Sequence, residues 1–189
     1  MNSINKKGQG VFGMSFSTIF SIIIIIFILL VAFLVIRHFA DLSKCTNVGL
    51  YYDDLREEVR DAWTSTSGRY LDEFTAKVPK KGMFGAGVEY VCFGNLTDTP
   101  TDADSTDMQE SLEREYLYDP TEGYNVFMYP PDNACESNLG AIVLKCGSAD
   151  CATTDGRFFC QPIADDGTVS VYMYKQPTEY KITLMRNAP

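Results

Sequence analysis

Three closely spaced carboxylates form the densest set of possible metal ligands in this sequence. Asp102, Asp104 and Asp107 offer the oxygen atoms that calcium prefers. The segment lacks the central glycine and the terminal glutamate of an EF-hand loop. The sequence therefore favours a solvated acidic loop that leads into a short helix at Met108–Leu117, with a calcium site as the alternative.

The six cysteines are the second set of residues whose side chains could do chemistry, and all of them follow a long apolar segment. An even number of cysteines confined to one part of a chain is typical of disulfides in an exported domain. A structural metal site is the alternative, but the spacing of Cys146 and Cys151 is a poor match to common zinc-binding pairs. The predicted disulfide cysteines are Cys45, Cys92, Cys135, Cys146, Cys151 and Cys160.

The positions of the cysteines suggest how they pair, although six cysteines allow about 15 pairings. Cys45 lies just beyond the apolar segment, and Cys92 lies in the first predicted strand. A bond between these two would tie the helix to the sheet across a long loop. We therefore predict Cys45–Cys92, together with Cys146–Cys151 and Cys135–Cys160.

Most enzyme classes lack the residues they need here. The sole histidine, His38, directly follows the apolar segment, which disfavours histidine-based zinc sites and Ser-His or Cys-His nucleophiles. No G-x-S-x-G or cofactor motif occurs, although a pair of carboxylates for glycoside hydrolysis stays open as an alternative. The net charge of -9 disfavours binding to nucleic acids through their phosphates. We predict a protein that is not an enzyme and has no nucleic-acid partner.

One segment has the length and composition of a membrane-spanning helix. Residues 8–36 carry no charge, and residues 16–36 are almost entirely Ile, Phe, Leu and Val. A helix of 21 residues spans about 30 Å, the thickness of the hydrocarbon core of a bilayer. A buried core helix is rarely apolar on every face, and the apolar region of a secretory signal peptide is shorter. The segment is therefore predicted to remain as a membrane helix.

The charges on each side of this segment predict its orientation. Lys6 and Lys7 precede the helix, and cytoplasmic flanks favour basic residues. From Cys45 onward the chain has 12 basic and 24 acidic residues, which favours an external location. In an exported domain, the Asn95-Leu96-Thr97 sequon is a glycosylation acceptor. Asn95 is therefore predicted to be exposed and to carry a glycan, with an unmodified loop asparagine as the alternative.

The N-terminus resembles the class III signal of archaeal type IV pilins and pilin-like proteins. The polar leader ends in Lys6-Lys7-Gly8, and Gln9 and the apolar helix follow it. The resemblance implies that a prepilin peptidase cuts between Gly8 and Gln9 on the cytoplasmic side. It also implies a structural subunit that moves from the cell membrane into a cell-surface filament of identical subunits, with help from pilus assembly machinery. The alternative is a permanently anchored single-pass surface protein that binds a ligand or partner.

Beyond the membrane, the pattern predicts an α+β domain, which resembles the general plan of type IV pilins. Val48, Leu55 and Val59 recur at helical intervals up to Thr64–Gly68, and a break or bend is expected at Lys44–Gly49. An antiparallel sheet should pack on this helix. The predicted strands are Val88–Phe93, Asn125–Tyr129, Ala141–Cys146, Thr168–Lys175 and Glu179–Leu184. The predicted organisation is a leader at 1–8, a membrane or filament-core helix at 9–44 and an extracellular domain at 45–189.

Overall fold

The computed structural model describes residues 16–65, 70–79, 87–116, 123–134 and 139–188. The chain divides into two units between Ala40 and Asp41. Helix α1 occupies Phe16–Thr64, and helix α2 occupies Ala103–Tyr116. The strands are β1 (Tyr70–Lys77), β2 (Tyr90–Phe93), β3 (Thr99–Pro100), β4 (Val126–Tyr129), β5 (Ala141–Ile142), β6 (Ala152–Thr153), β7 (Arg157–Pro162), β8 (Thr168–Lys175) and β9 (Ile182–Met185).

Helix α1 is a single element of 49 residues. The predicted break at Lys44–Gly49 is therefore wrong, whereas the alternative of a bend stays a prediction. That stretch contains no proline, and one glycine in a helix costs only about 1 kcal/mol relative to alanine. The hydroxyl of Thr46 also donates a hydrogen bond to the carbonyl oxygen of Leu42, one turn earlier in the same helix, at 3.1 Å. Every residue of the stretch can therefore stay helical.

The second half of α1 provides one side of the core of the C-terminal unit, as the spacing predicts. Val48, Leu55 and Val59 are fully buried, and Tyr51 and Tyr52 are almost fully buried. Burial raises the pKa of both tyrosine hydroxyls well above its ordinary value, so both remain neutral. The helix ends at Thr64, within the predicted stretch.

Lys175 stabilises the C-terminal end of α1 from the sheet. Its ammonium group donates to the carbonyl oxygen of Trp63 at 2.6 Å and lies within 3.4 Å of the carbonyl oxygens of Ala62 and Ser65. The last turn of α1 has no basic residue of its own. A cation at this position satisfies carbonyls that have no partner within the helix and interacts favourably with the helix dipole.

A four-stranded sheet with the order β1-β8-β9-β6 contributes to the same core. In β8, Val169, Val171 and Met173 are buried and alternate with half-buried residues, as predicted. They belong to one hydrophobic cluster with Leu55 and Val59 of α1. The sheet was predicted to be antiparallel, which is wrong for one pair of its strands, because β6 and β9 run parallel.

The second sheet has five strands in the order β3-β7-β2-β4-β5 and contributes to two hydrophobic clusters. Phe93 and Phe159 stack within the cluster that includes α1. Phe127 and Phe158 belong to a second cluster with Met108 and Leu112 of α2. The strands β3 and β7 are parallel, and the other pairings in this sheet are antiparallel. The fold is therefore α+β with two mixed, mainly antiparallel sheets.

Two disulfides join described residues, and one of them matches the predicted pairing. Cys146 bonds to Cys151, as expected. Cys92 bonds to Cys160, so the predicted Cys45–Cys92 and Cys135–Cys160 pairings are wrong. The reason is strand register, since Cys92 and Cys160 lie directly opposite each other in the antiparallel β2–β7 pair.

We expect the third disulfide to join Cys45 to Cys135. Cys45 is disulfide-bonded, and four of the other cysteines bond to each other. Cys135, which lies outside the described residues, is the remaining cysteine of the six. Peptide mapping without reduction should recover one peptide pair that contains Cys45 and Cys135. A free thiol at either position, or a link between Cys45 residues of two chains, would contradict this pairing.

Candidate functional site

The largest continuous apolar surface of the described chain covers the first half of α1. Its large hydrophobic side chains are between 41% and 65% exposed, with no face turned into a core. They are Ile19, Phe20, Ile22, Ile23, Ile24, Ile25, Ile26, Phe27, Ile28, Leu29, Leu30, Val31, Phe33, Leu34, Val35, Ile36 and Phe39. An apolar surface of this extent marks contact with a membrane or another protein.

This surface distinguishes α1 from an ordinary core helix. Among the described residues, α1 is the one helix long and apolar enough to cross a bilayer. No part of its most apolar segment is buried within the chain, which argues against the core-helix interpretation. A signal sequence shares this length and composition. The helix is therefore a candidate membrane anchor or signal.

The second half of α1 has an acidic outer surface. Arg56 pairs with Asp53 and Arg60 pairs with Glu57, both at 3.6 Å and both exposed, as the sequence predicts. The acidic groove between this helix and β1 contains Asp54, Glu57, Glu58, Asp61, Asp72 and Glu73. The Tyr70 hydroxyl donates to Glu58 at 2.9 Å. Because Tyr70 is partly buried and lies beside these carboxylates, its pKa is raised above the ordinary value.

The carboxylate of Asp102 has partners within the fold, which differ from those of the alternative calcium site. It accepts a hydrogen bond from the backbone N–H of Ser105 at 2.8 Å, which is the geometry of a helix N-cap. It also accepts from the hydroxyl of Thr101 and forms an ion pair with Arg186. The sequence signal for this role was an aspartate just before a helix, whereas Arg186 lies too far along the chain to be foreseen.

The three predicted calcium ligands do not come together. Asp104 and Asp107 are exposed on α2, while Asp102 is engaged at its N-terminus. The described ranges contain no group of three or more His, Cys, Asp or Glu residues placed to hold a metal ion. Helix α2 begins at Ala103, five residues before the predicted start, because the acidic segment forms the cap and first turns of the helix.

We expect Asp102→Ala to lower the free energy of unfolding by about 1 kcal/mol at pH 7, because it removes the cap. Asp102→Asn should cost less, since asparagine also caps helices. Burial raises the pKa of Asp102, but hydrogen bonds from Ser105 and Thr101 and the charge of Arg186 outweigh it, so the pKa is lowered. A lowered pKa stabilises the fold above the unfolded value of about 3.9, and this stabilisation is lost as the pH falls through the folded value.

Urea unfolding followed by the fluorescence of Trp63 measures this effect. The difference between wild type and Asp102→Ala should shrink as the pH is lowered below about 4. A difference that stays constant between pH 7 and pH 2.5 would show that the charge of Asp102 does not contribute to stability.

Asn95 is exposed directly after β2, in the predicted position. Its backbone N–H donates to a carboxylate oxygen of Asp98 at 2.8 Å, and its side-chain amide donates to the same oxygen at 3.4 Å. The turn is thus held by Asp98, and the asparagine side chain lies at the protein surface. A modifying enzyme can therefore reach it.

We expect native protein to carry a glycan on Asn95, and both Asn95→Gln and Thr97→Ala to remove it. The two substitutions abolish the same acceptor sequence, while Thr97→Ala leaves the asparagine in place. Intact mass of protein isolated from its own cells provides the measurement. Equal carbohydrate content in wild type and both variants would contradict the prediction.

The predicted cleavage residues Gly8 and Gln9 lie outside the described residues. Comparison with protein-family models, with curated proteins and with solved structures finds no significant match to this chain.

Proposed function

We propose that this chain is a structural subunit of an archaeal type IV pilus-like filament on the cell surface. The observation that carries the proposal is the division of α1 into two unlike halves. The first half exposes apolar side chains on all sides, and the second half is built into the core of a disulfide-containing α+β unit. The pilin-like leader at Lys6-Lys7-Gly8-Gln9 adds support.

The exposed half of α1 accounts for both stages of the proposed life cycle. In the membrane, lipid tails surround the apolar side chains, and the acidic C-terminal part lies outside the cell. During assembly, apolar helices of identical subunits replace the lipid contacts with helix–helix contacts. Because lipid is as apolar as these side chains, close packing between helices must supply the net stabilisation. A prepilin peptidase and an assembly machinery are the expected partners.

The C-terminal part suits an exported role. Its disulfides fit an oxidising compartment, and its acidic surface keeps neighbouring molecules soluble and disfavours nucleic-acid binding. The role is structural and requires no catalytic residue.

Isolation of surface filaments from the native cells tests the proposal. We expect mass spectrometry to find this chain as a filament subunit whose first residue is Gln9. Recovery of the chain only in membrane fractions, with Met1 or Asn2 at its N-terminus, would contradict it.

A permanently anchored surface protein that binds a ligand is the second candidate. The observation that favours it is a polar cavity of about 300 Å³ in the C-terminal unit. A membrane-retained chain that keeps its leader and binds a ligand in this cavity would support this function.

A further inference from the structure

A cavity of about 300 Å³ in the C-terminal unit is lined by residues of β6 and β9 and by loop residues that flank β2 and β4. Small-molecule sites usually have volumes of about 300–1,000 Å³ and mainly apolar walls. This cavity is the right size for one small molecule, but its walls carry two lysines, an aspartate and two asparagines. These charged and amide side chains are Asn95, Asn125, Lys145, Asp150 and Lys181. Such a lining suits a polar ligand.

The Cys146–Cys151 disulfide restrains the backbone next to two of these charged residues. Lys145 directly precedes Cys146, and Asp150 directly precedes Cys151. The short loop between the cysteines is also closed by backbone pairing of Cys146 with Ala149. The ammonium group and the carboxylate therefore start from the two ends of one cross-linked loop.

Backbone hydrogen bonds bring the other polar residues to the same loop. The N–H of Ile182 donates to the carbonyl of Cys151 at 2.7 Å, which brings the preceding residue, Lys181, to the end of the loop that carries Asp150. The side-chain oxygen of Asn125 accepts from the N–H of Leu144 at 2.7 Å. Three distant parts of the sequence thus converge on one cavity through specific bonds.

The two lysines are available for a ligand. Within the described residues, neither Lys145 nor Lys181 forms an ion pair or a hydrogen bond. By contrast, Arg56, Arg60 and Arg186 pair with carboxylates in this acidic chain. Two cations at one cavity attract an anionic group.

We propose that this cavity binds an acidic saccharide through its carboxylate and hydroxyl groups. Lys145 and Lys181 would pair with the carboxylate, since charge-assisted hydrogen bonds are the stronger ones. Asp150 accepts hydrogen bonds from sugar hydroxyls, while the amides of Asn95 and Asn125 can donate as well as accept. Asp150 also disfavours ligands with several negative charges, such as phosphates, because it repels them. This saccharide site is compatible with a filament subunit and with a permanently anchored surface protein.

The saccharide has two possible sources, because Asn95 lies in the wall of the cavity. It is either the glycan attached to Asn95 of the same chain or a glycan of another molecule. Both present the same carboxylate and hydroxyl chemistry, and they are distinguished by removing the sequon without changing the wall. Thr97→Ala does so, since it leaves Asn95 in place.

Titration of the full-length chain in detergent micelles with D-glucuronate, followed by NMR, tests the proposal. D-glucose serves as the neutral probe with the same ring. We expect glucuronate to shift the resonances of residues 145, 150 and 181 and to bind about tenfold more tightly than glucose. The double variant Lys145→Gln/Lys181→Gln should remove this preference. Lys77→Gln, which changes an exposed lysine of β1 outside the cavity, should leave it intact.

The glucuronate and glucose titrations are carried out on Thr97→Ala protein and on native protein from the same cells. Binding only to Thr97→Ala protein supports the site and identifies the chain's own glycan as its occupant. Equal binding to both supports the site and identifies an external glycan. Absence of binding to both proteins, equal affinity for glucose and glucuronate, or an unchanged preference in the double lysine variant would overturn the proposal.

Discussion

Leu55→Ala should lower the free energy of unfolding of the C-terminal unit by about 3 kcal/mol. Leu55 is fully buried and belongs to the cluster that joins α1 to both sheets. Truncation removes apolar contact area and leaves a cavity that neighbouring side chains fill only in part. Since domains of this size are stable by only about 5–15 kcal/mol, the loss is large.

Leu50→Ala is the matched control, because it makes the same chemical change one to two turns earlier on the same helix. Leu50 is 54% exposed, so its truncation should change the stability by less than about 0.5 kcal/mol. Trp63 is the single tryptophan, and its N–H donates to the carbonyl of Tyr180 at 2.8 Å. Its fluorescence therefore reports loss of the packing between α1 and the chain before β9. Equal losses for both variants in urea would contradict the assignment of the buried face.

The parts of the fold that the sequence predicts well are those with a strong local pattern. The stripe of Val48, Leu55 and Val59 repeats at helical spacing, and all three residues are buried. In β8, alternation of apolar residues identifies both the element and its inward face, and the predicted bounds Thr168–Lys175 are confirmed. In each case the residues of one element suffice to specify which side is buried.

Strand β1 has no such pattern and was not predicted. Of its eight residues only Phe74 is buried, so the segment is mostly polar. It becomes a strand because its whole length pairs with β8, from Tyr70 opposite Lys175 to Lys77 opposite Thr168. A partner almost a hundred residues away supplies the hydrogen bonds, and periodicity within the strand does not reveal it. Strand β7 was likewise not predicted, and it is held in the sheet by its pairing with β2.

Local sequence patterns also fail to reveal the long-range disulfide and the cavity. The confirmed Cys146–Cys151 bond joins two cysteines that are close in sequence, whereas Cys92–Cys160 depends on the register of β2 and β7. Lys145 and Lys181 are far apart in the sequence, and neither has a local pattern that indicates a site. Likewise, the local acidic spacing at Asp102 suggested calcium, but the position of α2 and Arg186 makes this residue a helix cap.

Gly8→Val should retain the leader and abolish filaments. A peptidase that cuts after residue 8 must approach the backbone closely, and glycine has no side chain to obstruct it. The uncut chain would keep Lys6 and Lys7, which hold the cytoplasmic end of the helix at the membrane interface. Cleavage removes both lysines and leaves the new α-amino group of Gln9 as the one charge before Arg37. Extraction of the helix from the bilayer into a bundle then no longer requires the two lysine ammonium groups to cross the hydrocarbon core, which is costly.

Gly13→Val is the matched control, since it makes the same change five residues downstream of the proposed bond. It should be cut normally, so mass spectrometry should find Gln9 at its N-terminus, whereas Gly8→Val protein should begin at Met1 or Asn2. Electron microscopy of the two strains then relates processing to assembly. If Gly8→Val cells form normal filaments of the uncut chain, cleavage is not required for assembly. If wild-type protein itself keeps residues 1–8, the filament proposal loses its main support, and a permanently anchored surface protein becomes the better explanation of the exposed apolar helix.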